Sequence, residues 1–334
     1  NPKYTELFDI ASHLSGRVKT TSIHAGGVGI VDGKVTDFMP MKLGPDGEHV
    51  IQVDKRIVEE VGIIKYDILG VASLGLVQET QNDARVDDWE IDINNPDFEF
   101  DTASYELLSS AMTNGVFQVE SAGMKDLLSQ VSAVLALYRP DSMGALEEYI
   151  ECSKHPEKVT YIHPDMEPIL KETFGCMIYQ EQLLDIVRKF GGRSYGGADL
   201  FRKAIGKKNI ELVKQESAKL YQEIINNGYS KELAKQISDD LSTKGGYLFN
   251  KSLSYSYAVL CLQTAYLKQH YTTYFFNALF NMNKNKPGMI NKHILDAKQF
   301  GVEIMPPNIN KSEMNFSVVD GKVLFGYSAI AGIG

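Results

Sequence analysis

Lys65 and Asp67 flank Tyr66 in a run of extended character. In a strand the amine and the carboxylate share one face and the phenol takes the other. A carboxylate beside a lysine suits phosphoryl chemistry, the carboxylate as a ligand to Mg2+ and the lysine countering phosphate charge. The same spacing also describes an ordinary ion pair at a strand end. A second concentration of charge follows Gly196-Gly197, where Arg202, Lys203, Lys207 and Lys208 put four cations within seven residues. Arg supplies a planar fork and Lys a point charge, a combination that clamps a triphosphate. Asp199 is expected in the first turn of the helix that these glycines open, where the macrodipole favours a carboxylate, and the cations also fit a solvated helix end.

Gly245 to Tyr257 interleaves Tyr247, Asn250 and Lys251 with aromatics and serines ahead of a long apolar-periodic run. Such a mixture suits base stacking and phosphate contact, and equally a capped helix start with buried aromatic anchors. His24 precedes two glycines, a pattern that fits close backbone approach as well as ligand contact. Gln180, Glu181 and Gln182 open another helix, with polar groups able to reach a base or to cap the turn. Asp97, Glu99 and Asp101 alternate with aromatics and in a strand would form the best-looking metal site in the chain. Asn94-Asn95-Pro96 before them is loop chemistry, and Asp101-Thr102 after them reads as a helix cap, so a catalytic role is not expected there.

The elements that must carry these residues divide into two styles. Residues 23–71 read as β-rich, with strand-like runs from Val28 to Val35, His49 to Val53 and Ile63 to Leu69, broken by Asp32-Gly33 and Pro45-Asp46-Gly47 turns. From about residue 103 the periodicity is helical, over 103–112, 121–130, 144–152, 179–190, 197–205, 209–227, 230–242, 254–282 and 288–300. Ser230 with Glu232 marks one helix start, and Asp320-Gly321 marks a hairpin. The expectation is an α+β chain whose β-containing first part feeds a large helical part.

A length of 334 residues suggests two domains, and 43% apolar with 23% charged residues is ordinary globular composition. The net charge of −9 argues against a surface that grips nucleic acid everywhere but allows a local basic groove. Cys152, Cys176 and Cys261 form no Cys-x-x-Cys pair, so neither disulfides nor structural zinc are expected and the cytoplasm is the default compartment. No apolar run is long enough to span a membrane. The first residues carry neither an initiator Met nor a signal pattern and read as the middle of a longer chain.

Taken in order, HAGGV (24–28), KYDILG (65–70), GVFQVES (115–121), LYRP (137–140), IYQEQ (178–182), GGADLFRKAIGKK (196–208), FNKS (249–252), YAVLCLQTAYLKQHY (257–271), MPPNIN (305–310) and FGYSAIAGIG (325–334) closely resemble the bacterial DNA polymerase III alpha subunits, the family C DNA polymerases. The resemblance covers essentially the whole chain. It implies a partial palm of the nucleotidyltransferase, polymerase beta-like type followed by a large, mostly α-helical fingers domain. Residues 1–22 would end the thumb or return to the palm, 23–72 would be the C-terminal part of the palm, and 73–334 the fingers, ending at a helix-hairpin-helix-like Gly motif. It implies template-directed transfer of a nucleotide from dNTP to a primer 3'-OH, with two Mg2+ ions held by three carboxylates. Asp67 matches the third of these, and the other two are expected before residue 1, so this stretch alone is expected to be inactive. Lys65 matches a palm lysine near the incoming nucleotide, and Arg202 with Lys203 matches an Arg-Arg pair on the triphosphate. His24, Lys207, Lys208, Tyr247, Asn250 and Lys251 are implied as DNA or nucleotide contacts.

Primer–template DNA and dNTP are the implied partners, with a sliding clamp and other replisome subunits reached through regions outside this chain, and the replication fork in the cytoplasm is the implied location. Lys203 departs from the family in keeping the charge but losing the fork, Leu253 stands where the family has His, and the stretch around Gln130 to Ser132 is shorter than in the family. A translesion member of the same family, and an inactive DNA-binding relative, are the alternative readings.

Overall fold

The computed structural model describes residues 4–18, 20–24, 26–68, 70–87, 92–95, 98–128, 143–206, 210–330 and 332–333. The chain divides into two units, Asn1–Ala72 and Ser73–Gly334.

In the first unit, α1 (Thr5–Leu14) precedes β1 (Gly27–Ile30), β2 (Met41–Leu43), β3 (His49–Ile51), α2 (Lys55–Glu60) and β4 (Ile64–Asp67). β1 runs antiparallel to β4, with Gly27 opposite Asp67 and Gly29 opposite Lys65. β2 and β3 form a hairpin across the predicted Pro45-Asp46-Gly47 turn. The run expected as a strand from Val28 to Val35 stops at Ile30, because Asp32-Gly33 turns the chain and Val35–Asp37 closes a single 3-10 turn. Gly33 there has φ +119°, which L side chains rarely adopt. Met39, Val58 and Ile63 are the buried centre, with Val31, Ile51 and Val53 against it.

After α3 (Ala72–Val86), which the periodicity did not indicate, the helical periodicity expected from about residue 103 is borne out as α4 (Thr102–Ser109), α5 (Ala122–Leu128), α6 (Met143–Lys154), α8 (Gln180–Gly191), α9 (Tyr195–Gly206), α10 (Ile210–Asn226), α11 (Lys231–Lys244), α12 (Lys251–His270), α13 (Thr272–Asn283) and α14 (Pro287–Gln299), with the short α7 (Glu167–Leu170) in addition. A small sheet follows, in which β5 (Ile304–Met305) lies parallel to β7 (Lys322–Leu324), and β7 pairs antiparallel with β6 (Ser317–Val319) across the Asp320-Gly321 turn.

Two buried clusters organise the helices. Leu183, Val187 and Phe190 of α8 meet Phe201 and Ile205 of α9, Leu220 and Ile224 of α10, and Ile237 and Leu241 of α11. Leu107 and Leu108 of α4, Val116, Val119, Tyr149 and Ile178 surround Cys261 and Ala265 of α12. Phe190, Phe201, Leu183, Leu220 and Ile224 are fully buried. Removing one such side chain costs about 3–5 kcal/mol, so the faces of α8 to α11 are fixed tightly.

Two helical features depart from the sequence expectation. The single run 254–282 is divided at Tyr271, whose φ −121° and ψ 43° leave the helical region. The Thr272 hydroxyl there bonds the carbonyls of Lys268 and Gln269, offering the backbone a local alternative to the helical ladder. Helix α3 was not expected, and its buried side mixes Leu76, Val77 and Ala84 with polar residues. Thr80 and Gln81 are buried, Glu79 and Asp83 accept from Asn281 and Asn277 at 2.8 Å each, and Asp87 accepts from the Tyr274 hydroxyl.

Candidate functional site

In the first unit the candidate side chains come together at the end of the β1–β4 pair. Lys65 and Asp67 share one face of β4, and the Lys65 ammonium is ion-paired with Asp67 Oδ2. His24 Nε2 lies 3.8 Å from Asp67 Oδ1, while its Nδ1 accepts the Gly26 N–H at 3.3 Å. Gly26 is required by close approach: its carbonyl accepts from Ile68 N at 2.7 Å, and a Cβ at this position would lie 2.1 Å from the Ile68 oxygen. The two glycines after His24 thus let the chain lie flat against the end of β4. Asp67 remains 41% exposed, so its carboxylate faces solvent rather than the core. It is a single carboxylate, and among the described residues no group of three or more His, Cys, Asp or Glu is arranged to hold a metal ion. The described residues therefore do not by themselves fit a two-ion centre.

The second unit builds its site from the starts of α8 and α12 and one face of α9. Phe249 N donates to Ile178 O at 2.9 Å and Gln180 N to Phe249 O at 2.8 Å, a parallel bridge that sets the first turns of α8 and α12 side by side. The positive dipole ends of both helices meet here, and their first-turn N–H groups are largely taken up locally, Gln182 N by Tyr179 O, Lys251 N by Glu181 and Leu253 N by Asn250. Asn250 caps α12 by accepting from Leu253 N at 2.9 Å. Glu181 joins the two starts, accepting from Asn250 Nδ2 and from Lys251 N at 2.9 Å each.

Helix α9 buries Ala198, Phe201 and Ile205 and turns Asp199, Arg202 and Lys203 away from that core, as spacing of three and four residues requires. It begins at Tyr195, so Asp199 lies beyond the first turn, not within it as expected, and serves the cations instead of the dipole. Asp199 Oδ1 accepts from Arg202 Nε at 2.7 Å, and Oδ2 lies 3.0 Å from Lys203 Nζ. Burial acts to raise the Asp199 carboxyl, but the bonds from Lys203 and Arg202 outweigh it and hold the group below its usual range. Two cations thus share one carboxylate. Gln180 connects this face to α12, accepting from Arg202 Nη1 at 3.5 Å and donating to Leu248 O at 3.4 Å. The start of α9 is held by Arg193, which reaches Glu216 at 2.7 Å and Glu223 at 2.6 Å on α10. Lys251 is ion-paired with both oxygens of Glu172 at 2.7 Å, which raises its pKa.

The tertiary structure therefore brings Arg202, Lys203, Asn250 and Lys251 into one region, and His24, Lys65 and Asp67 into another. Lys207, Lys208 and Asp97 lie outside the described residues, as do the Tyr247 side chain and the shortened stretch around Gln130 to Ser132. Gln182 is structural: buried, it accepts from Ile178 N and Tyr179 N and donates to Thr173 at 2.7 Å. Asp101 caps α4 through Ser104 N at 3.0 Å and pairs with His270 at 2.8 Å, in line with the expected cap. Glu172 and Arg193 were not singled out from sequence, since their partners lie tens of residues away, and Glu181, expected to reach a base or cap its own turn, instead takes up the start of α12. The three cysteines are free, and among the described residues no helix is long and apolar enough to cross a membrane.

Comparison with known proteins gives two family matches: the bacterial DNA polymerase III alpha NTPase domain over residues 1–70 and the bacterial DNA polymerase III alpha subunit finger domain over residues 73–228. The chain is similar to the DNA polymerase III subunit alpha of Aquifex aeolicus, 37% identical over 349 residues that cover 100% of this chain and 30% of that protein. The corresponding protein of Treponema pallidum is 33% identical, with 100% and 29% covered, and that of Thermus aquaticus 34% identical, with 98% and 28% covered. The chain spans about 30% of the length of these curated relatives.

Proposed function

The chain belongs to the bacterial DNA polymerase III alpha subunit family, and from that premise we propose that it is part of a DNA-directed DNA polymerase that transfers a nucleotide from dNTP to a primer 3'-OH. In this reading residues 1–22 end the thumb or return to the palm, 23–72 belong to a palm of the nucleotidyltransferase type, and 73–334 to the fingers. The partners are primer–template DNA and dNTP, with the clamp and other replisome subunits engaged elsewhere in the protein, at the replication fork in the cytoplasm.

The observation that carries the proposal is the meeting of Arg202 and Lys203 with the paired starts of α8 and α12. Arg202 and Lys203 share the one carboxylate of Asp199, so α9 itself keeps a surplus of positive charge beside the two helix dipoles, while Glu181 and Glu172 occupy the start of α12. A triphosphate has the charge and acceptor oxygens to bind there, and a planar guanidinium holds two of those oxygens at once. Lys251 and Asn250 at the start of α12 would contact DNA or nucleotide together with Tyr247 just before them, as would Lys207 and Lys208, which follow Arg202 and Lys203 in sequence.

In the other unit, Asp67 would supply one carboxylate to the two Mg2+ ions that the family resemblance implies, which when bound neutralise charge on the transferring phosphoryl group. The ions need ligands beyond those of the described residues. Lys65 already rests on Asp67, so the ammonium is held close to any phosphate that arrives at the carboxylate. His24 adds a polar group on the other side of that carboxylate.

The test is Arg202→Ala in the full-length protein. The apparent KM for dNTP is expected to rise or kcat to fall by tenfold or more, about 1.4 kcal/mol of lost binding, with primer–template affinity nearly unchanged. Weakened DNA binding with unaltered nucleotide kinetics would turn the cluster into a DNA-backbone patch.

A further inference from the structure

GVFQVES (115–121) contributes nothing to the sites above, yet its backbone contains an anomaly. Among the described residues, four non-glycine residues have positive φ: Ala111, Gln118, Phe174 and Asp320. Ala111 follows the end of α4, Phe174 ends a 3-10 turn, and Asp320 belongs to a hairpin turn. Gln118, at φ +66°, takes the third position of the turn closed by Val119 N to Val116 O at 3.4 Å. Glycine or asparagine ordinarily occupies that position, and a glutamine gains nothing locally from its side chain there.

Everything around Gln118 is fixed. Thr113, Val116 and Val119 are fully buried. Thr113 Oγ1 donates to Val119 O at 2.5 Å, Gly115 N to Glu120 Oε1 at 3.0 Å, and Phe117 N to Thr264 Oγ1 of α12 at 3.0 Å. Gly115 lies so close to α13 that a Cβ would meet Leu279 at 2.7 Å. Between Thr113 and Glu120, Gln118 alone is exposed. The loop is thus a rigid mount that directs one amide to solvent. It packs on α12, with Phe117 edge-on to Tyr257 at 5.1 Å. Tyr257 lies six residues from Lys251, about 9 Å along the helix axis at 1.5 Å per residue.

We propose that Gln118 is a DNA-contacting residue whose side-chain amide hydrogen-bonds the primer–template duplex without sequence selectivity. An uncharged amide offers donors to the acceptors that every base pair presents in the minor groove, and to sugar and phosphate oxygens. A rigid mount loses little entropy on binding, which gives the strained conformation a purpose. The proposal rests on the reading that this helical unit handles DNA.

The experiment compares Gln118→Gly and Gln118→Asn in the full-length protein. Both residues adopt positive φ readily, so neither variant should melt below wild type, and the glycine should melt higher. Affinity for a primer–template duplex without dNTP should fall about three- to tenfold in both, the loss of one hydrogen bond, and equally for two unrelated duplex sequences. Affinity within twofold of wild type in either variant overturns the proposal, as does a glycine variant that melts early, since the backbone assignment would then be wrong. Absence of duplex binding by wild type overturns the functional reading itself, and a sequence-dependent loss overturns the claim of unselective contact.

Discussion

The Glu181 carboxylate holds Lys251 by its backbone, Oε2 accepting the Lys251 N–H at 2.9 Å while Oε1 takes the Asn250 amide at the same distance. One acidic side chain in the first turn of α8 therefore fixes the first residue of α12. Asn250 cannot turn its amide to suit a different partner, because its carbonyl oxygen is already the cap for Leu253 N.

Glu181→Gln tests that coupling. Glutamine keeps one acceptor but presents an NH2 group to Asn250 Nδ2, setting donor against donor. Loss of about 1–3 kcal/mol of stability is expected for the charged hydrogen bond, seen as a lower melting temperature. If Lys251 and Asn250 lie beside the bound nucleotide, KM for dNTP should rise as well. An unchanged melting temperature would mean that α12 starts where it does without Glu181.

Asp67→Asn addresses the strand pair. The amide is nearly isosteric but lacks the charge that draws both Lys65 and a metal ion. In the full-length protein, incorporation is expected to fall more than tenfold, over 1.4 kcal/mol of transition-state stabilisation, with primer–template affinity largely intact. A rate above about a tenth of wild type would remove Asp67 from the catalytic set.

Lys203→Arg asks whether the triphosphate region prefers two forks. Lys203 pairs with Asp199 four residues before it and is 58% exposed, so an arginine has room and a partner. KM for dNTP should stay level or fall, and stability should move by no more than about 0.5 kcal/mol. A marked rise in KM would show that the compact ammonium, not the charge alone, is needed.

His293 gives the chain a pH response. It is fully buried, neither ring nitrogen has a hydrogen-bond partner in the structure, and its pKa is pushed down to about 4. Burial is the main cause, reinforced by Lys292 and Lys268 and opposed by Asp296. The folded pKa lies below the unfolded value, so folding favours the neutral ring. Its contribution is complete above pH 6.5 and is lost as pH falls through about 4. Between those limits the loss should approach about 3 kcal/mol. Melting curves of wild type and His293→Leu from pH 7 to 4 provide the check: carboxylates titrate alike in both, and wild type should lose stability relative to the leucine variant as pH falls. A constant difference would mean that the ring does not become charged on unfolding.

The sequence alone determined the parts that depend on near neighbours. Alternation put Lys65 and Asp67 on one face, and Asp101-Thr102, Ser230 and Asp320-Gly321 announced a cap, a helix start and a hairpin, because caps and turns are made by residues two to four apart. The ordered motifs carried the family. Helix α3 stayed hidden, since its buried face mixes Thr80 and Gln81 with Leu76, Val77 and Ala84 and its half-buried Glu79 and Asp83 are satisfied by α13, some two hundred positions away. Tyr271 also gave no sign that it would divide a continuous apolar run. Only the tertiary structure decided that Gln180 reaches both Arg202 and Leu248, that Glu181 takes up the start of α12, and that Gln118 is held outward at positive φ. Each of these depends on a bridge or packed face between distant segments, and periodicity records which side of an element is buried but not which element it is buried against.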